Sequence, residues 1–370
     1  MKQTADQRTR NIIYGVSLFL LGILLAYGIM YKFPEVFQET ITKIEKDVTV
    51  TDKGIADAVE KVYDSVIIVS TYENNKQISS GSGFLYKTDD DKTYIITNHH
   101  VVDGGDSFKV TYTNGDVEKV ELLGGDQYAD IAVLEADVKE NFEVVDVGST
   151  DALRVGDTTF TVGAPLDNVY SWTVTRGIIS GKERLVEISL DSSYNTDYIM
   201  NVLQTDAAVN SGNSGGPLCD SNGEVIGVIS AKISASGVEG MGFAIPIEVA
   251  IEKAEQIING ESSEYPYLGA SMVNVTDVMN NYYYMSYLKD TELTSGVMII
   301  DVEKNSSADE AKFKTGDIII EINGNKISNV AYLRYELYKH NIGDTIKITY
   351  EREGKEKTVS VKLSSKYQKS

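Results

Sequence analysis

The stretch "AVNSGNSGGPL" (208–218) places Gly212, Gly215 and Gly216 around Ser214, with apolar residues on either side. Glycine loses the most backbone entropy on folding, so such a cluster marks a chain that turns sharply or comes close to another group. Two readings follow. One is a tight turn between strands. The other is a nucleophile loop whose backbone N–H groups converge on a developing oxyanion. This stretch alone leaves both open.

The bulk composition narrows the classes. A chain of 370 residues, 42% hydrophobic and 24% charged, suits one large or two ordinary globular domains. Its net charge of −21 argues against a basic nucleic-acid footprint, so no nucleic-acid partner is expected. The single cysteine, Cys219, excludes an internal disulfide and a multi-cysteine metal site. The three histidines, His99, His100 and His340, exclude a histidine-rich metal cluster. No metal and no organic cofactor are expected.

The segment "NIIYGVSLFLLGILLAYGIMY" (11–31) carries no charge, and about 20 such residues cross a bilayer. Lys2, Arg8 and Arg10 precede it, and Lys32, Phe33 and Pro34 follow directly. A cleaved signal peptide has a shorter apolar region and a small-residue cleavage site. The reading is therefore an uncleaved transmembrane signal-anchor helix behind a cytoplasmic tail (1–10) and before a polar stalk (32–52). The basic side stays in the cytoplasm, which makes a single-pass protein of the bacterial cell membrane with everything after residue 31 extracytoplasmic.

Beyond the stalk, Ile55, Val59 and Val62 have helical spacing, and "SVIIVST" (65–71) reads as a buried strand. Short strands between Gly- and Asp-rich turns then run to about residue 250, the pattern of an all-β sandwich or a pair of barrels. "PIEVAIEKAEQIING" (246–260) closes the region as a helix, with Gly260 at its cap. A second, smaller α+β unit follows, with an amphipathic helix in "VAYLRYELYKH" (330–340) and a hairpin turning at Gly354.

Serine acyl transfer needs a base for the hydroxyl, a carboxylate to orient the base and donors for the oxyanion. His99 and His100 end the strand "TYIITNHHVV" (93–102), where alternation sends them to opposite faces, so at most one serves the site. Asp130 heads "DIAVLEA" (130–136) and, taken alone, is a turn aspartate. Ser214, taken alone, is a turn serine.

The motifs "TNHHVV" (97–102), "DIAVL" (130–134), "QTDAAVNSGNSGGPL" (204–218) and "GMGFAIP" (240–246), in this order, resemble the HtrA/Deg family of trypsin-like serine proteases. The resemblance implies a double six-stranded antiparallel β-barrel over 53–260 and a PDZ-like domain over 264–366. It places the base on His100, the acid on Asp130 and the nucleophile on Ser214. The oxyanion hole falls on the backbone of Gly212, Asn213 and Ser214. Val209 and Ile233 would line a pocket for a small apolar residue before the scissile bond. In the second domain, Tyr267, Leu268, Gly269 and Ala270 resemble the loop that binds a peptide's C-terminal carboxylate. The peptide would add as a strand, with the helix around 332–338 as the other wall.

The family reading also implies a homotrimer, ATP-independent cleavage of unfolded or misfolded polypeptides, and a role in extracytoplasmic protein quality control under stress. The short segment "ENNKQISSGSG" (73–83) and the single PDZ-like domain fit a simple trimer rather than a large cage. "DVMNNYYYMSYLKDTELTSG" (277–296) is longer and more aromatic than the family pattern and reads as an added packing element. Two rival readings keep the same fold: a narrow regulatory protease with one substrate, and a non-proteolytic anchored scaffold. A penicillin-binding reading from Ser286–Lys289 and Lys314–Gly316 fails, because no S-D-N lies between them.

Overall fold

Runs of β-branched residues make the strands, and which face each side chain takes decides how the strands pack. The structure is a computed structural model describing residues 3–32, 53–139, 141–164, 172–189, 196–210, 212–233, 240–261, 264–279, 285–288 and 291–365. The chain divides into two units, Met1–Lys53 and Gly54–Ser370.

The first unit carries helix α1 (Gln3–Lys32), whose described side chains are exposed. The expected transmembrane span is not supported. Among the described residues no helix is long and apolar enough to cross a membrane. Residues 3–10 of the expected tail (1–10) are the start of α1, whereas the expected stalk (32–52) lies outside the described residues apart from Lys32.

The second unit begins within α2 (Lys53–Tyr63), which buries Ala58 and Val62. Six antiparallel strands then close a first barrel: β1 (Val66–Glu73), β2 (Lys76–Asp89), β3 (Lys92–Thr97), β4 (Ser107–Thr111), β5 (Val117–Asp126) and β6 (Ile131–Asp137), in the order β1-β2-β3-β6-β5-β4. One helical turn, α3 (His99–Val102), follows β3. Strand alternation was expected to separate His99 from His100; the strand in fact ends at Thr97, and a helical turn parts the two side chains.

A second barrel closes in the order β10-β11-β12-β9-β8-β7 from β7 (Thr158–Gly163), β8 (Thr173–Ile188), β9 (Tyr198–Thr205), β10 (Pro217–Asp220), β11 (Val225–Ile229) and β12 (Gly242–Pro246). The period-2 alternation explains why several strands are apolar on both faces. Ile67, Val69, Ile95 and Leu134 fill the first barrel. Their neighbours Val66, Ile96, Ile131 and Val133 turn outward and join Phe160, Val162, Val202 and Val228 of the second barrel in one shared core. The second barrel's own interior holds Ile179, Leu203, Leu218 and Ile226.

Helix α4 (Ile247–Ile258) lays Ala250, Ala254 and Ile257 on the shared core. It ends as a Schellman cap: Glu261 N–H bonds Gln256 O at 2.8 Å, Gly260 N–H bonds Ile257 O at 3.0 Å, and Gly260 takes φ +69°.

The third body is a sheet in the order β13-β14-β15-β17-β18, with β16 paired to β15. It is built from β13 (Ala270–Asn274), β14 (Val297–Val302), β15 (Ile318–Ile322), β16 (Asn325–Lys326), β17 (Thr345–Arg352) and β18 (Lys355–Lys362). Helices α5 (Val275–Met279), α6 (Ser307–Glu310) and α7 (Val330–Leu337) complete it. Glu353 and Gly354 both take positive φ at the β17–β18 turn, as the sequence predicts for a two-residue hairpin. In the aromatic insertion, Val278, Leu288 and Leu293 pack with Val275 against Met298 and Ile318. Its residues 280–284 and 289–290 lie outside the described residues.

Candidate active site

The site forms where the two barrels meet. Asp130 sits in the turn between β5 and β6 at φ +54°, a left-handed conformation that aspartate tolerates better than most residues. Asn98 supports that turn by donating its amide to Asp130 O at 2.9 Å. The Asp130 side chain is buried, and three donors converge on it. His100 Nδ1 lies 2.8 and 2.9 Å from its two oxygens, the His100 backbone N–H donates at 3.1 Å, and Ser230 Oγ donates at 2.9 Å. An ionised carboxylate only accepts, so the Nδ1 bond needs its proton on Nδ1 and leaves a lone pair on Nε2. The His100 side chain remains 24% exposed, open to a reacting group.

Ser214 is 4% exposed, and its Oγ accepts the Ala231 N–H at 3.1 Å. Among the described residues no hydrogen bond joins Ser214 to His100. Among the described residues nothing else accepts the hydroxyl proton. Ser230 and Ala231, adjacent in the chain after β11, tie the carboxylate and the serine hydroxyl to one piece of backbone. His100, Asp130 and Ser214 are thus brought to one place, His100 and Asp130 from the first barrel and Ser214 from the second.

The glycines of the opening stretch have steric reasons. Gly215 has φ +85°, and a Cβ there would lie 2.1 Å from Ser82 O and 2.4 Å from Thr97 Oγ1. Gly212 takes φ +100°. The N–H groups of Gly212 and Ser214 have no partner among the described residues. Asn213 is a correction: its N–H is spent on Asn210 O at 3.0 Å, which removes it from the expected oxyanion donors.

The two expected pocket residues belong to different core clusters of the described residues. Val209 packs against the interior of the second barrel. Ile233 is buried in the shared core, and residues 234–239 lie outside the described residues. Both make ordinary core contacts.

In the third body, β13 is an edge strand paired on one side with β14. A cavity of about 580 Å³ runs between it and α7, lined by Tyr267, Leu268, Ala270, Met272, Leu333 and Leu337 among others. Gly269 takes φ +74°, and a Cβ there would meet Ser306 Cβ at 2.1 Å. The Leu268 and Gly269 N–H groups have no partner among the described residues. The Tyr267 N–H is spent on Ser364 O at 2.8 Å, so this one of the expected loop donors is not free.

Sequence reasoning missed three contributors. Ser230 and Ala231 carry no motif. Ser82 bonds the nucleophile loop from the first barrel, and its only signal was small residues in the middle of a strand, "GSG" (81–83). The third is an aromatic junction in which the Tyr128 ring lies 5.5, 5.1 and 5.3 Å from those of Tyr198, Tyr265 and Tyr338. There Tyr265 donates its hydroxyl to Asp126 at 2.6 Å, and Tyr128 also lines the cavity beside β13. Burial, the nearby Asp126 charge and that hydrogen bond push the Tyr265 phenol well above its ordinary value. Burial likewise pushes up the Cys219 thiol, which is inert packing in β10.

Two closed six-stranded barrels with a histidine–aspartate pair and a serine at their seam, followed by an edge-strand groove, define a trypsin-like protease with a peptide-binding module. The chain matches the trypsin-like peptidase domain family over residues 81–228 and the PDZ domain family over 266–363. Serine protease Do-like HtrB of Bacillus subtilis (strain 168) is 39% identical over 333 residues, which cover 86% of this chain and 72% of that protein. Serine protease Do-like HtrA of Lactococcus lactis subsp. cremoris (strain MG1363) is 32% identical, covering 88% and 86%. Among solved structures, the serine endoprotease from Yersinia pestis superposes with a TM-score of 0.62 at 26% identity, over 86% of this chain and 99% of that one. The HtrA-type protease AlgW with decapeptide superposes with a TM-score of 0.64 at 27% identity, over 84% and 98%. The chain belongs to the HtrA (Do-like) family of serine proteases.

Proposed function

We propose that the chain is a serine endopeptidase acting through His100, Asp130 and Ser214 on unfolded or misfolded extracytoplasmic polypeptides. The observation that carries the reading is the buried Asp130 carboxylate bonded to His100 Nδ1, with Ser230–Ala231 linking that carboxylate to Ser214 Oγ. Ser214 Oγ attacks the peptide carbonyl while His100 Nε2 takes its proton. The tetrahedral oxygen is met by the Gly212 and Ser214 N–H groups. His100 then protonates the leaving amine, and water repeats the sequence to release the acyl group. Asp130 holds the imidazole tautomer throughout.

The groove beside β13 takes the C-terminus of a peptide as an added strand. The free edge, the unpartnered Leu268 and Gly269 N–H groups, and the decapeptide carried by the AlgW neighbour support this. Attachment to the bacterial cell membrane rests on the uncharged sequence segment 11–31 and the basic residues before it. Trimer assembly and stress-linked quality control rest on the family resemblance.

The test is cleavage of unfolded β-casein by the full chain beside Ser214→Ala. Clearance by the wild type alone is expected. Equal clearance by both refutes the serine mechanism. No clearance by either, with and without a C-terminal peptide for the groove, favours the scaffold reading. Alkaline carbonate extraction of membranes tests the anchor, and release of the chain to the supernatant refutes it.

A further inference from the structure

Ser82 lies within β2 of the first barrel and is fully buried, yet its N–H and its hydroxyl both serve the seam with the second barrel. Its N–H donates to Ser214 O at 2.8 Å. Its hydroxyl donates to Gly212 O at 2.7 Å and accepts the Ala164 N–H at 3.1 Å. Its carbonyl accepts from Thr97 Oγ1 at 2.7 Å. A serine hydroxyl has one proton to donate, and here that proton goes to the nucleophile loop.

The two carbonyls that Ser82 holds belong to Gly212 and Ser214, the residues whose N–H groups face the reacting oxygen in the reading above. A peptide unit is rigid, so fixing a residue's carbonyl fixes the plane that follows it. With Gly212 O bound to Ser82, the 212–213 peptide turns its N–H to Asn210 O, away from the site. Gly212 itself sits at φ +100°, where glycine has a broad range of conformations and no side chain to restrict it. The loop's most permissive residue therefore takes its restraint from outside the loop. The packing leaves little slack, because a Cβ on Gly216 would meet Ser82 Cβ at 3.2 Å and one on Gly163 would meet Ser82 Oγ at 3.0 Å.

We propose that Ser82 is a positioning residue for the oxyanion hole built from the Gly212 and Ser214 N–H groups: its hydroxyl holds the 212–213 peptide and its N–H holds the 214–215 peptide, and together they limit how the 213–214 unit between them, which carries the Ser214 N–H, can turn. This rests on the reading of those two groups as the oxyanion donors. Ser82 touches no substrate and acts through the loop. Removing an oxyanion donor outright costs about a hundredfold or more in kcat, and displacing donors that remain present costs less. Ser82→Ala is expected to lower kcat by about 10- to 100-fold with the apparent KM little changed.

The test uses the full chain with fluorophore-labelled casein, beside inactivation by diisopropyl fluorophosphate. This small reagent needs Ser214 and the oxyanion donors but no peptide subsite. Ser82→Ala should lose the same factor in kcat and in the inactivation rate. Ser82→Cys keeps the shape with a weaker donor and should fall between, whatever the order of the thermal midpoints. If Ser82→Ala does not fold, Ser82→Cys alone carries the comparison. Wild-type rates in either folded variant overturn the proposal, as does a loss that tracks only the folded fraction. A wild type that the reagent does not label at Ser214 overturns the triad reading first, and the proposal with it.

Discussion

Asp130→Asn tests the triad at its most buried member. Three donors converge on the carboxylate: His100 Nδ1, the His100 N–H and Ser230 Oγ. An amide offers one accepting oxygen and an NH2 group that only donates. The His100 N–H binds Oδ1 and Ser230 binds Oδ2, so an amide oxygen in the place of Oδ1 keeps the His100 N–H, while the amide nitrogen in the place of Oδ2 donates to Ser230 Oγ and faces Nδ1 at the nearer of its two contacts. The imidazole then carries its proton on Nε2, where it can no longer take the Ser214 proton. Asparagine tolerates the φ of +54° as well as aspartate does, so the backbone has no reason to move. In Ser-His-Asp triads this tautomer exchange lowers kcat about 10⁴-fold, or about 5 kcal/mol of transition-state stabilisation. Casein hydrolysis at neutral pH measures kcat, and circular dichroism confirms the fold. Ser230→Ala calibrates the result: it removes one donor but leaves both His100 contacts. Its expected cost is below about tenfold, in line with a net hydrogen-bond worth of about 1 kcal/mol. A folded Asp130→Asn enzyme within tenfold of wild type refutes the role given to Asp130.

Gly215→Ala forces a Cβ to within 2.1 Å of Ser82 O at φ +85°, so it should destabilise by more than about 3 kcal/mol in urea unfolding; an unchanged midpoint contradicts the packing of the loop. Tyr265→Phe removes the phenol donor from buried Asp126 and should cost about 1–3 kcal/mol, whereas equal stability would show that bond to be dispensable. Partial burial works against the Glu248 charge, but the Thr150 N–H and the Thr150 and Ser149 hydroxyls outweigh it and hold the carboxyl below its ordinary 4.5. The resulting stability is present above the unfolded value and disappears as pH falls through the lower folded one. A Glu248→Gln chain should therefore lose less stability on acidification below 4.5 than wild type, and parallel curves would count against this. Cys219 is fully buried with its thiol pushed upward, so a thiol-reactive disulfide should label it only after denaturant is added; prompt labelling of the native protein would show β10 to be open.

The parts of this fold that could be read from the sequence are those set by local chemistry. The Gly260 cap and the hairpin turn at Gly354 each depend on a few neighbouring residues and appear as expected, whereas the alternation expected at His99 and His100 fails because the strand stops at Thr97. His100, Asp130 and Ser214 were legible because each sits inside a recognisable motif. Asn213 was misassigned because its N–H is claimed by Asn210 O, a loop contact that no motif encodes. The Tyr267 N–H was misassigned for a similar reason, since its partner, Ser364, lies at the far end of the domain. Val209 and Ile233 are aliphatic and adjacent to the nucleophile loop in the family pattern, but adjacency does not say which way a side chain turns. Ser82, Ser230 and Ala231 act only through contacts across the barrel seam, and sequence spacing carries no record of these.

That seam also explains why Ser214 and His100 are independently held. His100 and Asp130 belong to α3 and the β5–β6 turn of the first barrel, whereas Ser214, Ser230 and Ala231 lie before β10 and after β11 of the second. The two bodies are joined by the shared apolar core, by Trp172 Nε1 donating to Val66 O at 2.9 Å, and by Ser82. The histidine–aspartate pair can therefore stay bonded while the serine hydroxyl rests on Ala231 N–H. A small shift between barrels would change the Ser214–His100 approach and leave the His100–Asp130 bonds intact. Ser230 bridges the two sets, since its hydroxyl reaches the first barrel's carboxylate while the next backbone N–H holds the second barrel's nucleophile. Anything that displaces the Ser230–Ala231 backbone acts on both halves of the site at once.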